Sequence, residues 1–121
     1  MIQTKSFLKV ADNSGASLVE CVRVYRVKDK NTKLGNIILV SIKEIKEHSK
    51  LKLGSLHQAI IVRIKTPLSR RNGNFLKFDE NAVILLNSKK EFFGNRFFGL
   101  ASSELRKKKS VKFLSLISSI I

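Results

Sequence analysis

Acidic side chains are scarce in this chain: nine Asp and Glu stand against 24 Lys and Arg, a formal charge of +15 over 121 residues. That shortage excludes a surface neutralised by its own ion pairs, and self-repulsion on this scale finds its natural use against a polyanion. Tryptophan is absent and tyrosine occurs once, so the alternating aromatic and basic pattern of a free single-strand-binding barrel is not seen. The lone cysteine, Cys21, excludes an internal disulfide and suits a reducing interior. Proline occurs once, and no linker, repeat or low-complexity boundary divides the chain. No apolar run approaches the roughly 20 residues that span a bilayer. Residues 111–121 are apolar but are broken by Lys112, Ser115, Ser118 and Ser119. Polar Gln3, Thr4, Lys5 and Ser6 precede any hydrophobic run, which does not fit a secretory signal. Nucleic acid is therefore the expected partner, and a membrane is not.

Reactive constellations are missing as well. His48 and His57 lack HxxxH or CxxC spacing, so no metal ligand set is expected. Cys21 lies among Val19, Val22 and Val24, where a free cysteine acts as a small buried hydrophobe. Asp12 and Asp79 adjoin turn residues and are expected to cap backbone amides. The glycines stand singly at turns, so no phosphate-cradling loop is formed. Neither a cofactor nor an enzymatic activity is expected.

What is present reads as short strands around one core. The hydrophobic share of 43% supports a folded domain rather than a basic tail. Residues 18–27 and 36–47 are rich in β-branched types, and the middle of the second run is apolar on both faces. In residues 58–66, Ile60, Val62 and Ile64 are expected to face inward, with Arg63 and Lys65 on a cationic outer face. Residues 75–78 and 82–86 complete the set. Phe75 and Phe78 are read as core, whereas Phe92, Phe93, Phe97 and Phe98 sit in a loop-like setting. The turns carry Gly beside a polar residue at Gly35, Gly54 and Gly73, and Asn72-Gly73 suits a type I′ hairpin. The resulting fold class is mainly β: a small five-stranded β-barrel over residues 1–87, with a C-terminal loop and short helix in residues 88–121. Ser102 or Ser103 is the candidate cap of that helix, with Glu104 near its start and Lys107, Lys108 and Lys109 near its end.

Between the apolar runs 7–10 and 18–27 stands Ala11-Asp12-Asn13-Ser14-Gly15-Ala16. Asp12 and Asn13 can hydrogen-bond backbone amides two residues on and Gly15 can take positive φ, so a hairpin loop is its ordinary reading. The cations are spread widely, from Arg23 and Lys43 through Arg63, Lys65, Arg70 and Arg71 to Arg106. Any one of them alone is a solvated side chain. Together on so small a barrel they form a broad phosphate-contacting surface, suited to holding a folded RNA by its backbone.

The order of these motifs resembles a known family, the universal large-subunit ribosomal protein numbered fourteen in the bacterial series. Met1-Ile2-Gln3 with Ala11-Asp12-Asn13-Ser14-Gly15-Ala16 is similar to its opening. Ile42-Lys43-Glu44, Ala59-Ile60-Ile61-Val62-Arg63 and Arg70-Arg71 resemble its central strands and basic loop. Phe78-Asp79-Glu80-Asn81-Ala82-Val83-Ile84-Leu85-Leu86-Asn87 is similar to its most recognisable stretch. Gly94-Asn95-Arg96-Phe97-Phe98-Gly99, Glu104-Leu105-Arg106 and Lys112-Phe113-Leu114-Ser115-Leu116 resemble its C-terminal part. The resemblance implies a five-stranded barrel with a C-terminal lobe. It also implies binding to large-subunit rRNA, contact with neighbouring ribosomal proteins, and contact with small-subunit rRNA across the subunit interface. RNA contact is carried over to Asn13, Ser14, Lys43, Arg63, Lys65, Arg70, Arg71, Arg96, Arg106, Lys107 and Lys108. A free single-stranded nucleic-acid-binding barrel is the alternative reading.

The chain also departs from that pattern. Arg71-Asn72-Gly73-Asn74 stands where the family has a Pro and an Asp in a loop one residue longer. Glu80 replaces a Gly, Leu100 replaces a Pro, and residues 27–34 are Lys-rich and lack the usual glycines. Asn, Lys, Ile, Phe and Ser are abundant, as A+T-rich codons would specify. These features mark a divergent member and point to a mitochondrial ribosome and an organelle-encoded chain, with a plastid or a bacterial cytoplasm as alternatives.

Overall fold

The computed structural model describes residues 2, 4–25, 34–47, 50–65, 68–69, 71–89, 91–94 and 97–99. The expected helix at 102–109 and the candidate contacts Arg70, Arg96, Arg106, Lys107 and Lys108 lie outside them. Among the described residues there are seven strands: β1 (Phe7–Val10), β2 (Ala16–Val24), β3 (Ile37–Ile45), β4 (Leu56–Arg63), β5 (Leu68–Ser69), β6 (Phe75–Leu76) and β7 (Ala82–Leu86). No helix occurs among the described residues.

Five of these strands close a barrel in the order β1-β2-β3-β4-β7, as expected for the class. Neighbours run antiparallel except at the seam, where β1 meets β7 in parallel through Lys9 opposite Ala82 and Val10 opposite Val83. Closure leaves no strand edge free within this sheet. The interior is filled by small and branched side chains, among them Leu8, Val19, Cys21, Ile38, Val40, Ile42, Ala59, Ile61, Val83 and Leu85. All five residues of β7 are buried, so this strand is covered on both faces. Parallel or doubly covered strands read as continuous apolar runs, and Ala82-Val83-Ile84-Leu85-Leu86 is such a run.

Three details differ from the sequence reading. The fifth barrel strand is Phe7–Val10, while Phe75–Leu76 pairs with Leu68–Ser69 in a separate two-stranded hairpin. Phe75 is accordingly 72% exposed, not part of the core. The alternation expected along β4 is also broken. Ile61 and Val62 are both fully buried while Ile60 is only partly so. A bulge is the cause: Ile61 faces Val83 and Arg63 faces Ala82, so two residues of β4 oppose one of β7 and the side chains are re-aimed. Finally, the Asn72-Gly73 pair does not form a two-residue type I′ turn. Ser69 pairs with Phe75, which leaves a five-residue loop. In it only Gly73 among the described positions has positive φ (85°), and Asn72 Oδ1 accepts a hydrogen bond from the Asn74 amide at 3.1 Å. This is an Asx-type turn.

Candidate nucleic-acid interface

The topology gathers the β1–β2, β3–β4 and post-β7 loops at one end of the barrel. There the turn at residues 12–15 is held from within. Asp12 is 2% exposed. Its Oδ1 accepts from the Ser14 amide at 3.2 Å and from Ser14 Oγ at 2.6 Å, and its Oδ2 accepts from the Leu85 amide at 3.3 Å. Burial raises its pKa, and these hydrogen bonds, with Lys46, act against that rise. Gly15 has φ of 108°, a conformation that a side chain would strain. Its carbonyl accepts from the Lys46 amide at 2.8 Å and ties the turn to the β3–β4 loop. Gly94 lies against the other flank, where an added Cβ would stand 2.6 Å from Asn13 Oδ1 and 3.1 Å from Asp12 Cβ.

The expected contact residues are therefore distributed between two ends and one side. Asn13 is exposed at the rim, while the Ser14 hydroxyl is committed to Asp12. Lys43, on the outer face of β3, is paired with Glu20 at 3.4 Å. An exposed pair of this kind contributes little, so Lys43 is available to a phosphate. Lys65 and Arg71 are exposed at the opposite end, with Lys77 on the segment after β6. Sequence reasoning assigns no site role to Lys46 and Lys50. Both line a groove at the rim with Asn13, Ser14, Gly15, Glu47, Leu51 and Phe93. The signal for them was the turn former Gly54 close by in a Lys-rich loop, which marks an exposed cationic connection.

Arg63 has a different setting from the other cations. Its side chain is 12% exposed, and Nη2 lies 3.2 Å from Glu80 Oε1. Glu80 Oε2 also takes Lys9 Nζ at 3.1 Å. The guanidinium stands 5.9 Å from the ring centroid of buried Phe97 and occupies the space a Cβ on Gly99 would need. Desolvation lowers its pKa and Glu80 raises it, so the pair holds a charged group in a largely dry site. Asp12 pairs with Phe97, and the Phe98 amide donates to the Ala11 carbonyl at 2.7 Å. Arg63 thus braces the 97–99 segment against the barrel.

The reactive side chains are quiet. Cys21 is buried, and desolvation raises its thiol pKa, which keeps it protonated and inert. Ser55 Oγ donates to the Lys52 carbonyl at 2.6 Å, so at 3.0 Å from it His57 Nε2 must be the donor, which fixes the tautomer. Burial lowers the His57 pKa. Among the described residues no group of three or more His, Cys, Asp or Glu is placed to hold a metal ion. No helix among them is long and apolar enough to cross a membrane.

Taken together, the fold and surface define a small closed β-barrel with exposed cations on the loops at both ends, the class of protein that lies against folded nucleic acid. The particular family follows from the chain as a whole. Residues 1–121 match the family described as ribosomal protein L14p/L23e, and the chain belongs to it. Membership makes it a structural protein of the large ribosomal subunit that binds ribosomal RNA, in a family that is generally non-enzymatic.

Proposed function

We propose that this chain holds large-subunit rRNA through the loops at both ends of its barrel, touches neighbouring ribosomal proteins, and meets small-subunit rRNA across the subunit interface. The observation that carries the reading is the placement of the cations. Lys46, Lys50 and Lys52 project from the β3–β4 loop, Lys89 follows β7, and Lys5, Lys65, Arg71 and Lys77 occupy the opposite end. Only three ion pairs occur among the described residues, and none of these eight cations enters one. Positive charge left unpaired at two ends suits a protein lying between two RNA surfaces, with counterion release supplying the affinity. Asn13, Ser14, Lys43, Lys65 and Arg71 are the described contacts we carry forward, with Arg63 acting on the surface from behind. Residues 88–121 are read as the lobe that completes it. The A+T-type composition supports a mitochondrial ribosome, with a plastid or a bacterial cytoplasm as the other locations.

Gradient sedimentation of the tagged chain tests this. It is expected to co-migrate with free large subunits and whole ribosomes. Lysine-directed crosslinks to small-subunit rRNA or proteins are expected in whole ribosomes alone. A chain that stays at the top of the gradient refutes the ribosomal reading, and crosslinks confined to large-subunit components refute the interface. Fractionating the cell before sedimentation decides the compartment.

A further inference from the structure

Two grooves of about 490 Å³ each meet at one residue, Phe93. Phe93 is 41% exposed, though its backbone is fixed by its amide donating to the Leu85 carbonyl at 3.3 Å. His57 holds the ring edge-on, with centroids 5.0 Å apart and planes at 89°, and the Ser55 hydrogen bond holds His57 in turn. The ring is therefore held partly exposed at the rim by a fixed support instead of lying collapsed on the core.

The two sides of this ring differ in chemistry. On one side Lys46, Lys50, Glu47 and the turn of Asn13 and Ser14 form a polar wall of one net positive charge. Lys46 Nζ is 5.6 Å from the Phe98 ring centroid, and Lys46 and Lys50 are both exposed to solvent. On the other side Leu39, Leu56 and Leu86 form an apolar floor beside Gln58 and Asn87. Gln58 Oε1 is buried with no hydrogen-bond partner among the described residues. A buried acceptor left unpaired is costly, and the terminal torsion of Gln is broad, so a turn of the amide presents this oxygen to a donor in the groove. Asn87 Oδ1 is already taken by the Lys89 and Glu91 amides, both at 2.9 Å. Gln58 is thus the group with capacity to spare.

We infer that this rim takes one unpaired nucleotide of the bound rRNA, its base against Phe93 over the leucine floor, its amino or imino group on Gln58, and its phosphate toward Lys50. A nucleotide carries an anionic end and a flat apolar end with polar edges, in the order the two grooves offer. Unpaired bases stacked on aromatic side chains are the usual way in which folded RNA is read. The inference rests on the rRNA-binding reading above, and it adds a base-specific contact to a surface otherwise made of phosphate contacts.

The test uses the full chain and a large-subunit rRNA transcript, with affinity followed over a salt series and ultraviolet crosslinking mapped by mass spectrometry. Phe93→Leu is expected to weaken binding by about 5- to 150-fold, the range for losing one base–aromatic stack, with no change in salt slope. Phe93→Trp keeps the affinity, and the wild-type crosslink at Phe93 disappears in Phe93→Leu. Gln58→Met lowers affinity by about 2- to 10-fold, as one hydrogen bond would. Lys50→Ala flattens the salt slope by nearly one charge. Thermal melts accompany each variant. If Phe93→Leu does not fold, Gln58→Met and the wild-type crosslink decide. Wild-type affinity in both variants with no crosslink at Phe93 overturns the inference while leaving rRNA binding intact. A loss seen only when another ribosomal protein is present assigns the groove to that protein and also overturns it. A wild-type chain that does not bind the transcript refutes the underlying reading instead.

Discussion

Replacing Arg63 separates bracing from binding. Arg63→Ala removes a guanidinium whose side chain is 12% exposed and which reaches Glu80 at 3.2 Å and Phe97 at 5.9 Å. Breaking a fully buried pair by deleting one partner costs about 3 to 5 kcal/mol. Here the loss is smaller, because Glu80 is about a third exposed and keeps Lys9 at 3.1 Å. The cation–π contact adds about 0.5 to 1 kcal/mol, and the buried aliphatic stem adds packing. Together these give about 2 to 4 kcal/mol. For a chain of this size each kcal/mol shifts Tm by roughly 3 to 6 °C, so Tm is expected to fall by about 10 to 20 °C. Salt-dependent rRNA binding measured below that Tm gives the second reading. Arg63→Ala keeps the wild-type slope, whereas Arg71→Ala and Lys65→Ala each flatten it by nearly one charge and melt close to wild type. An Arg63→Ala protein that melts within about 2 °C of wild type and loses one charge from its salt slope would refute the reasoning.

Two further variants probe the same framework. Asp12→Ala leaves the Leu85 amide buried and unpaired and frees Ser14, for an expected loss of about 2 to 4 kcal/mol by urea titration. Burial holds the Asp12 pKa above its ordinary 3.8, so the folded state takes up this proton more readily than the unfolded chain. The carboxylate's penalty, full above the folded pKa, is relieved as pH falls toward 3.8, and the gap between wild type and Asp12→Ala is expected to widen from pH 7 to pH 4. An unchanged gap would contradict the burial argument. Gly99→Ala forces a side chain into positive φ (92°) and into the Arg63 guanidinium, an expected loss of about 1 to 3 kcal/mol. The steric part should vanish in the Arg63→Ala background, so a strictly additive double-mutant cycle would count against that contact.

The parts of this protein set by local chemistry were legible in the sequence. The turn at Asp12 to Gly15 follows from residue types that bond their own backbone, and the long β-branched runs of β2, β3 and β4 were found where they lie. Choices made across the chain were not legible. Phe7–Val10 and residues 75–78 are similar apolar runs, and only pairing with β2 and β7 puts the first into the barrel. The bulge opposite Ala82 cannot be read from β4 alone, yet it decides that Ile61 is buried. Arg63 looked like its cationic neighbours because Glu80 and Phe97, which turn it inward, come from distant segments. Phe93 and Phe97 share one apolar motif, and one is presented at the rim while the other is buried.

The parallel seam between β1 and β7 has a kinetic consequence. The first strand finds its last neighbour only after some seventy intervening residues are in place, and such distant pairings form slowly. Until then β1 and β7 each have one edge unpaired, and residues 12–15 have no Leu85 amide to anchor them. A chain made from its N-terminus therefore passes through an open, highly cationic sheet whose edges invite wrong pairing. An RNA that binds only the closed form draws the equilibrium toward closure by mass action. By the same linkage, RNA binding would favour the closed seam over the open sheet.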